Sequence, residues 1–252
     1  MSTDSQMPLY DALPVRVDWR LSLHDGLPLT SSSMREDGQD GVRLMVADIT
    51  NLLADTNLQA EALQHLSTYR RKKVEACGNA RNRALSIGVG LLLDRMLSEH
   101  NLHENEMDYH EGEHGKPTFT NHPELAFNLS HSGSLVAAAL VKVDSSSTTT
   151  PQIGVDLQRA TRYRPEVVRR MFSPSDKVLL ASATSETERE HLFSQCWCRA
   201  EAYGKATGEG LHWPFPTPSP EVILSDFKID DNYYGCLCII PPSVPQEEGP
   251  KR

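Results

Sequence analysis

The chain has 252 residues, 38% of them hydrophobic, which is enough for a substantial core in one large domain or two small ones. Its formal net charge of −9 argues against general affinity for nucleic acid. No apolar run approaches the ~20 residues needed to span a bilayer, and the N-terminus lacks a basic segment followed by an apolar one, so we expect a cytoplasmic protein without membrane contact.

The first 41 residues are predicted to be an N-terminal extension with one strand. Residues 1–13 have no clear pattern and are expected to be a loose lead-in. Residues 15–21 alternate apolar with charged side chains, which is typical of a half-buried strand. Residues 27–41 are rich in Ser, Gly and Asp and predict a long loop.

Two helices are predicted after a second strand that begins at residues 42–46. Thr56 and Gln59 form a capping box for a helix over residues 56–77, and a second helix follows over residues 80–100. This region carries a cluster of basic residues: Arg70, Arg71, Lys72, Lys73, Arg81 and Arg83. Such a cluster on an acidic chain indicates a specific anionic partner, although a solvated helix face explains it equally well.

Polar residues then interrupt an apolar region. Gly115, Lys116 and Pro117 predict a turn, residues 125–129 a short strand, and residues 130–133 a polar corner before an apolar segment. Hydroxyls, an imidazole and backbone amides placed together can hold phosphate oxygens, whereas a His in a turn is more often a simple surface residue.

Residues 145–150 are a hydroxyl-rich run that predicts a flexible connector. The strand over residues 153–158 places Gly154, Asp156 and Gln158 on the face opposite its apolar side chains. Two oxygen-bearing side chains beside a glycine suit a hard cation such as Mg²⁺, but an Asp on a strand face is more often only solvated.

The longest predicted helix begins after Ser185 and ends at Gly208, preceded by shorter helices over residues 165–172 and 173–181. Trp197, Glu201 and Lys205 lie four residues apart and share one face of it. A carboxylate and a lysine one turn apart are commonly a surface ion pair. A second basic cluster precedes this helix: Arg159, Arg162, Arg164, Arg169 and Arg170.

The C-terminal part contains a proline-rich loop over residues 213–220, strands over residues 222–227 and 233–240, and a charged tail over residues 241–252 that is expected to be disordered. The five cysteines are an odd number, which argues against a disulfide framework. Cys196 and Cys198 point to different sides of a helix, so they are poorly placed to chelate zinc together.

Four motifs in this order resemble the 4′-phosphopantetheinyl transferase superfamily, of the Sfp type. They are Gly115-Lys116-Pro117, Phe127-Asn128-Leu129-Ser130-His131-Ser132, Ile153-Gly154-Val155-Asp156-Leu157, and Trp197-x-x-x-Glu201-Ala202-x-x-Lys205 followed by Gly208-x-Gly210-Leu211. The resemblance covers about residues 42–240 and implies an α+β fold of two similar α/β halves related by a pseudo-twofold axis. These halves would be residues 42–144 and 151–240, joined by a linker over residues 145–150.

The resemblance also implies an activity: Mg²⁺-dependent transfer of the 4′-phosphopantetheine arm of coenzyme A to a serine of an apo acyl or peptidyl carrier protein, with release of adenosine 3′,5′-bisphosphate. It makes Glu201, Lys205 and Asp156 the expected catalytic residues and assigns the Mg²⁺ ligands to Asp156, Glu201 and Gln158. The expected contacts to coenzyme A are Lys116, Ser130, His131, Lys205, Arg70, Lys73 and Arg83, with the choice between Arg81 and Arg83 open. Both halves lie in one chain, so we expect a monomer.

Two departures from the family pattern keep other functions open. Gln158 stands where many relatives have a second acid, and Ala200 stands where many have Lys. A carrier-protein binding module without catalytic activity is one alternative. A Mg²⁺-dependent hydrolase of coenzyme A or nucleotides is the other. The sequence does not identify the carrier protein.

Overall fold

The computed structural model describes residues 7–22, 41–143, 150–212 and 214–242. Expectations for residues 1–6, 27–40 and 145–149, for Trp213 and for the tail from residue 243 lie outside the described residues. The helices are α1 Met7–Asp11, α2 Thr50–Ala54, α3 Thr56–Gln64, α4 Thr68–Glu75, α5 Ala80–Ser98, α6 Pro165–Met171, α7 Pro174–Ala181 and α8 Glu186–Thr207. The strands are β1 Val15–Ser22, β2 Gly41–Asp48, β3 Tyr109–Glu111, β4 Pro117–Phe119, β5 Leu125–Ser132, β6 Leu135–Lys142, β7 Gln152–Arg159, β8 Ile223–Asp230 and β9 Tyr233–Ile240.

An antiparallel sheet in the order β1-β2-β6-β5 forms the first half of the core. Successive residues of a strand face opposite sides, so its buried strands are apolar on both faces. Met45 and Ala138 face the cluster built around α5, whereas Leu44 and Ala139 face a second sheet.

That second sheet has the strand order β7-β9-β8. Val155 and Leu237 face the first sheet, and Cys236 and Cys238 face α8. Gly154 permits this close packing of helix on strand, because a Cβ at that position would lie 2.1 Å from the Ala202 carbonyl oxygen in α8. The order of layers is therefore helix, sheet, sheet, helix, which agrees with the predicted α+β class.

The N-terminal segment is more ordered than its sequence pattern predicts. The prediction of a loose lead-in over residues 1–13 is wrong for residues 7–13, because Leu9 in α1 and Leu13 after it are both buried. The hydroxyl of Tyr10 donates a hydrogen bond to Asp94 in α5. The predicted strand is confirmed as β1, and its Trp19 packs edge-on against Phe227 of the second sheet at 5.5 Å between ring centroids.

The single helix predicted over residues 56–77 is wrong, because the chain forms α3 and α4 with a break between them. Asp55, and not Thr56, caps α3. Ser67 begins α4 by accepting a hydrogen bond from the backbone N–H of Arg70, and its own hydroxyl donates to the fully buried carboxylate of Glu104 at 2.8 Å. This contact with an acid that is distant in the sequence determines where α3 and α4 are separated. No local sequence pattern predicts it.

The helix predicted over residues 80–100 is confirmed as α5, and the helix after Ser185 is confirmed as α8, which ends at Gly208 with φ 75°. The polar corner predicted at residues 130–133 is instead the end of β5, which continues through Ser132 before the turn at Gly133. Among the residues that the structure describes, no helix is both long and apolar enough to cross a bilayer.

Candidate active site

The central polar group consists of Ser130, Asp156 and Lys205, which come from β5, β7 and α8. Lys205 Nζ donates hydrogen bonds to Asp156 Oδ1 at 2.7 Å and to Ser130 Oγ at 3.0 Å, and Ser130 Oγ donates to Asp156 Oδ1 at 3.1 Å. A third bond from Lys205 Nζ goes to the Val155 carbonyl at 3.1 Å. Asp156 is only 6% exposed, so it is not the solvated strand residue that we considered as an alternative.

The second carboxylate oxygen of the group is unsatisfied. Asp156 Oδ2 is buried and accepts no hydrogen bond from the described residues. Glu201 lies nearby on α8, and its pKa is raised first by burial and then by the negative charge of Asp156, while Lys205 acts in the opposite direction. The two carboxylates therefore lie close enough for their charges to interact.

A cavity of about 240 Å³ opens beside this group. Glu201 and Lys205 line it from α8, and Lys116 and Asn128 line it from the first half of the chain. Residues that are widely separated in the sequence therefore line one cavity.

Lys116 connects the two parts of the chain at this cavity. Its ammonium donates to the Ala206 carbonyl at 2.6 Å, near the C-terminus of α8, and to the Ile153 carbonyl at 3.2 Å. Burial lowers the pKa of Lys116 to about 8. An ammonium has three protons to donate, so one remains available for a ligand.

His131 is exposed at the end of β5. The pKa of its imidazole is lowered first by desolvation and then by the positive charge of Lys205, with Asp156 acting in the opposite direction. The ring is therefore neutral at pH 7 and retains one N–H donor and one acceptor.

A polar ladder of three side chains joins β5 to β7. Asn128 Oδ1, Ser130 Oγ and Ser132 Oγ accept hydrogen bonds from the backbone N–H groups of Val155, Leu157 and Arg159 at 2.9, 3.1 and 2.9 Å. Side chains thus replace the backbone carbonyls that would pair two strands of one sheet. Our sequence analysis missed the structural role of Asn128 and Ser132, although short polar side chains at every second position of an apolar strand were the available signal.

Gln158 lies on the same strand face as Asp156 but borders a different cavity, of about 330 Å³, together with Arg164 and Trp197. Its side-chain N–H donates to the Arg159 carbonyl at 2.9 Å. Within the described ranges, no three His, Cys, Asp or Glu side chains are grouped so that they could hold a metal ion. Asp156 and Glu201 therefore form the acidic pair at this site without a third acid.

Comparisons with known proteins identify a family that this chain resembles. A family model described as the 4′-phosphopantetheinyl transferase superfamily matches residues 152–233, which include β7, α8 and the start of β9. The chain is 24% identical to the 4′-phosphopantetheinyl transferase Sfp of Bacillus subtilis over 178 residues, which are 64% of this chain and 75% of that protein. It is 29% identical to the 4′-phosphopantetheinyl transferase psf-1 of Bacillus pumilus over 61% of this chain and 72% of that one.

A shorter match, to the 4′-phosphopantetheinyl transferase HetI of Nostoc, is 38% identical over 89 residues, or 34% of each chain. The family model and these relatives support an assignment to the 4′-phosphopantetheinyl transferase superfamily, of the Sfp type.

The basic residues on α4 and α5 that were predicted to contact coenzyme A lie beside acids or carbonyl groups of the protein, although Arg70 Nε and Nη2 are buried without a hydrogen-bond partner. Arg70 is 6% exposed and lies 3.7 Å from the Glu104 carboxylate, and Lys73 lies 2.5 Å from Glu111. Arg83 makes a long bond of 3.4 Å to the Cys77 carbonyl, whereas Arg81 donates to the Gly133 carbonyl at 2.7 Å. Of the two arginines left open by the sequence, Arg81 therefore contacts the turn after His131, and Arg83 is less constrained.

Proposed function

We propose that this protein transfers the 4′-phosphopantetheine group of coenzyme A to a serine of an apo carrier protein and releases adenosine 3′,5′-bisphosphate. The observation that carries the proposal is that Lys116, Glu201 and Lys205 line one cleft, with the buried Asp156 bonded to Lys205 beside it. Similarity to the relatives supports it, because all three are named 4′-phosphopantetheinyl transferases.

Glu201 is the proposed general base. The carrier serine would attack the phosphorus that bears the pantetheine arm, the bond from that phosphorus to the bridging oxygen would break, and the serine proton would pass to Glu201. Burial and the Asp156 charge raise the pKa of Glu201, which makes its carboxylate a stronger base than an exposed one. It nevertheless has to be ionised to accept the proton, so activity should fall as the pH drops through this raised pKa.

Two lysines and the neutral imidazole of His131 are proposed to hold the phosphates of coenzyme A. Lys205 would stabilise charge on the leaving oxygens, and the Lys116 ammonium and the His131 N–H would donate to the pyrophosphate. Because all three protons of Lys205 are already donated to protein oxygens, one of its bonds has to be exchanged for a phosphate oxygen. Arg70, Lys73 and Arg83 are the candidates for the 3′-phosphate.

The acidic pair fits a Mg²⁺ ion. Asp156 Oδ2 is a buried oxygen without a donor, Glu201 lies close enough for the two charges to interact, and Mg²⁺ in proteins commonly takes one or two carboxylates together with substrate phosphates. Asp156 and Glu201 would hold the ion, with Gln158 as a third candidate through its amide oxygen. When bound, Mg²⁺ would neutralise charge on the pyrophosphate.

The remaining proposals concern partners and organisation. The arginines at positions 159, 162, 164, 169 and 170 are all exposed and would face an acidic carrier protein. We also propose a monomer in the cytoplasm, with two similar halves over residues 42–144 and 151–240. The side-chain ladder between β5 and β7 supports a division at this point, because backbone pairing ends there.

The test is to incubate the purified protein with apo acyl and peptidyl carrier proteins, coenzyme A and Mg²⁺, and to weigh each carrier by intact-mass spectrometry. We expect a gain of one phosphopantetheine that a chelator abolishes. Carriers that stay unmodified while coenzyme A still binds would favour a binding module, and cleavage of coenzyme A without a modified carrier would favour a hydrolase.

A further inference from the structure

Ser130 is surrounded by partners at the centre of the cleft. Its Oγ accepts one hydrogen bond from the backbone N–H of Leu157 at 3.1 Å and one from Lys205 Nζ at 3.0 Å. It lies 3.1 Å from Asp156 Oδ1, which as a carboxylate oxygen can only accept. The side chain is almost fully buried, at 6% exposure of the residue.

These three contacts use the full hydrogen-bonding capacity of a hydroxyl, which is one donor and two acceptor positions. The Ser130 proton has to point at Asp156, because the other two partners are themselves donors. A phosphate oxygen could receive this proton only if Asp156 lost it, and Asp156 already has one oxygen without a donor.

We propose that Ser130 is a positioning residue that orients Asp156 and Lys205, and that it is not a direct contact to coenzyme A. This inference rests on the proposed transferase function. It replaces the expectation that Ser130 binds a phosphate group of coenzyme A. By accepting from Lys205 and donating to Asp156, the hydroxyl holds the ammonium and the carboxylate in one fixed arrangement, while the ladder bond to Leu157 fixes the hydroxyl itself.

Ser132 provides a matched control on the same strand. Its hydroxyl accepts the next ladder bond, from the backbone N–H of Arg159 at 2.9 Å, and no described contact joins it to Asp156 or Lys205. Replacing either serine by alanine therefore removes one equivalent bond between β5 and β7. Only the change at Ser130 also removes a hydrogen bond to Asp156 and one from Lys205.

The experiment compares Ser130→Ala, Ser130→Thr and Ser132→Ala in the full chain. Three quantities are measured: kcat for carrier modification, Kd for coenzyme A by calorimetry, and the melting temperature. We expect Ser130→Ala to lower kcat about 10- to 100-fold, the usual effect of losing a hydrogen bond to a charged group, with Kd changed less than about twofold. Ser130→Thr keeps the hydroxyl and should return kcat to within about fivefold of the wild type. Ser132→Ala should change both quantities less than about twofold.

Two results would overturn the inference: a Ser130→Ala protein that binds coenzyme A about tenfold more weakly at unchanged kcat, or a Ser132→Ala protein that loses as much kcat as Ser130→Ala. Weaker binding at unchanged kcat would make Ser130 a direct contact to coenzyme A. An equal loss of kcat in Ser132→Ala would show that the hydrogen bonds between β5 and β7 as a whole, and not Ser130 in particular, support turnover. Failure of the proposed function looks different, because the wild-type protein itself would then leave every carrier unmodified.

Discussion

The central polar group and the basic residues of α4 differ in their position relative to the cavity. Lys205 lines the cavity together with Glu201, and its ion-pair partner Asp156 lies beside it. In contrast, Arg70 lies beside Glu104, a fully buried carboxylate that also accepts hydrogen bonds from Ser67 and Tyr109, and neither Arg70 nor Lys73 lines that cavity. Both groups contain buried atoms without a hydrogen-bond partner, Asp156 Oδ2 in the first and Arg70 Nε and Nη2 in the second, so position separates them and hydrogen-bond saturation does not.

This difference separates two roles that the sequence presents alike. A titratable group with a perturbed pKa that lines a cleft is a candidate for catalysis, so the central group, which contains Glu201, should govern the chemical step. Arg70 and Lys73 lie beside protein acids outside that cavity, so they should govern stability and, at most, the affinity for coenzyme A.

The largest effect is expected for Glu201→Gln. Loss of a general base should lower kcat about 10²- to 10⁴-fold, whereas Kd for coenzyme A should stay within about threefold of the wild type. Turnover is measured by carrier mass and Kd by calorimetry. Glu186→Gln, in the exposed first turn of the same helix, is the control and should leave both quantities unchanged. An active Glu201→Gln protein would remove Glu201 from the role of base.

The next effect concerns stability. Glu104→Gln should lower the free energy of unfolding by about 3 kcal/mol, because it leaves the buried Arg70 guanidinium without its counter-charge. Glu111→Gln removes the exposed acid beside Lys73 and should cost less than about 1 kcal/mol. Urea unfolding measures both. Equal losses at the two positions would contradict the contrast between a buried and an exposed pair.

A smaller effect on affinity is expected for Lys73→Ala. Because Lys73 is exposed and reaches Glu111 and the ring of Tyr69, its removal should weaken binding of coenzyme A by about three- to tenfold, with kcat unchanged. Lys72→Ala is the matched control, since it removes the same charge from the neighbouring exposed position. If Lys73→Ala and Lys72→Ala lose the same affinity for coenzyme A, the effect is a nonspecific attraction between charges. High salt should then remove the difference between each variant and the wild type.

The smallest effect is a pH dependence of stability. The pKa of buried Lys116 is lowered to about 8, below its value of about 10.4 in an unfolded chain. Between these values the unfolded state binds more protons than the folded state, so the contribution of Lys116 to the free energy of unfolding rises with pH, by about 1.5 kcal/mol from pH 8 to pH 9.5. Below about pH 7 both states are protonated and the contribution is flat.

The measurement for Lys116 is a series of urea unfolding curves across this pH range for the wild type and for Lys116→Met. The wild type should gain stability relative to the variant as the pH rises above 8. Parallel curves would show that Lys116 keeps an ordinary pKa, held there by the two carbonyl oxygens that it contacts.

Much of the fold could be predicted because periodicity is a local property. The alternation in β7 and the four-residue spacing in α8 are both confirmed, and together they place Asp156 opposite Glu201 and Lys205. The predictions that were wrong concern features that depend on residues distant in the sequence. The break before α4 depends on Glu104, and α1 is ordered by its contact with α5, so neither appears in a local window of sequence.

The candidate site was only partly predictable for the same reason. The four motifs named the residues that meet at the cleft, but not their hydrogen-bond partners. The sequence could not reveal that Ser130 is saturated by Leu157, Lys205 and Asp156, or that Gln158 borders another cavity. Such facts depend on the packing of β5 against β7, which side chains and not backbone bonds determine.

One measurement separates the two roles: the rate of carrier modification at saturating coenzyme A, recorded side by side for the wild type, Glu201→Gln and Lys73→Ala. The division of roles predicts that Glu201→Gln is slower by about 10²-fold or more and that Lys73→Ala reaches the wild-type rate. A Glu201→Gln protein at the wild-type rate, or a Lys73→Ala protein that stays slow when coenzyme A is saturating, would contradict it.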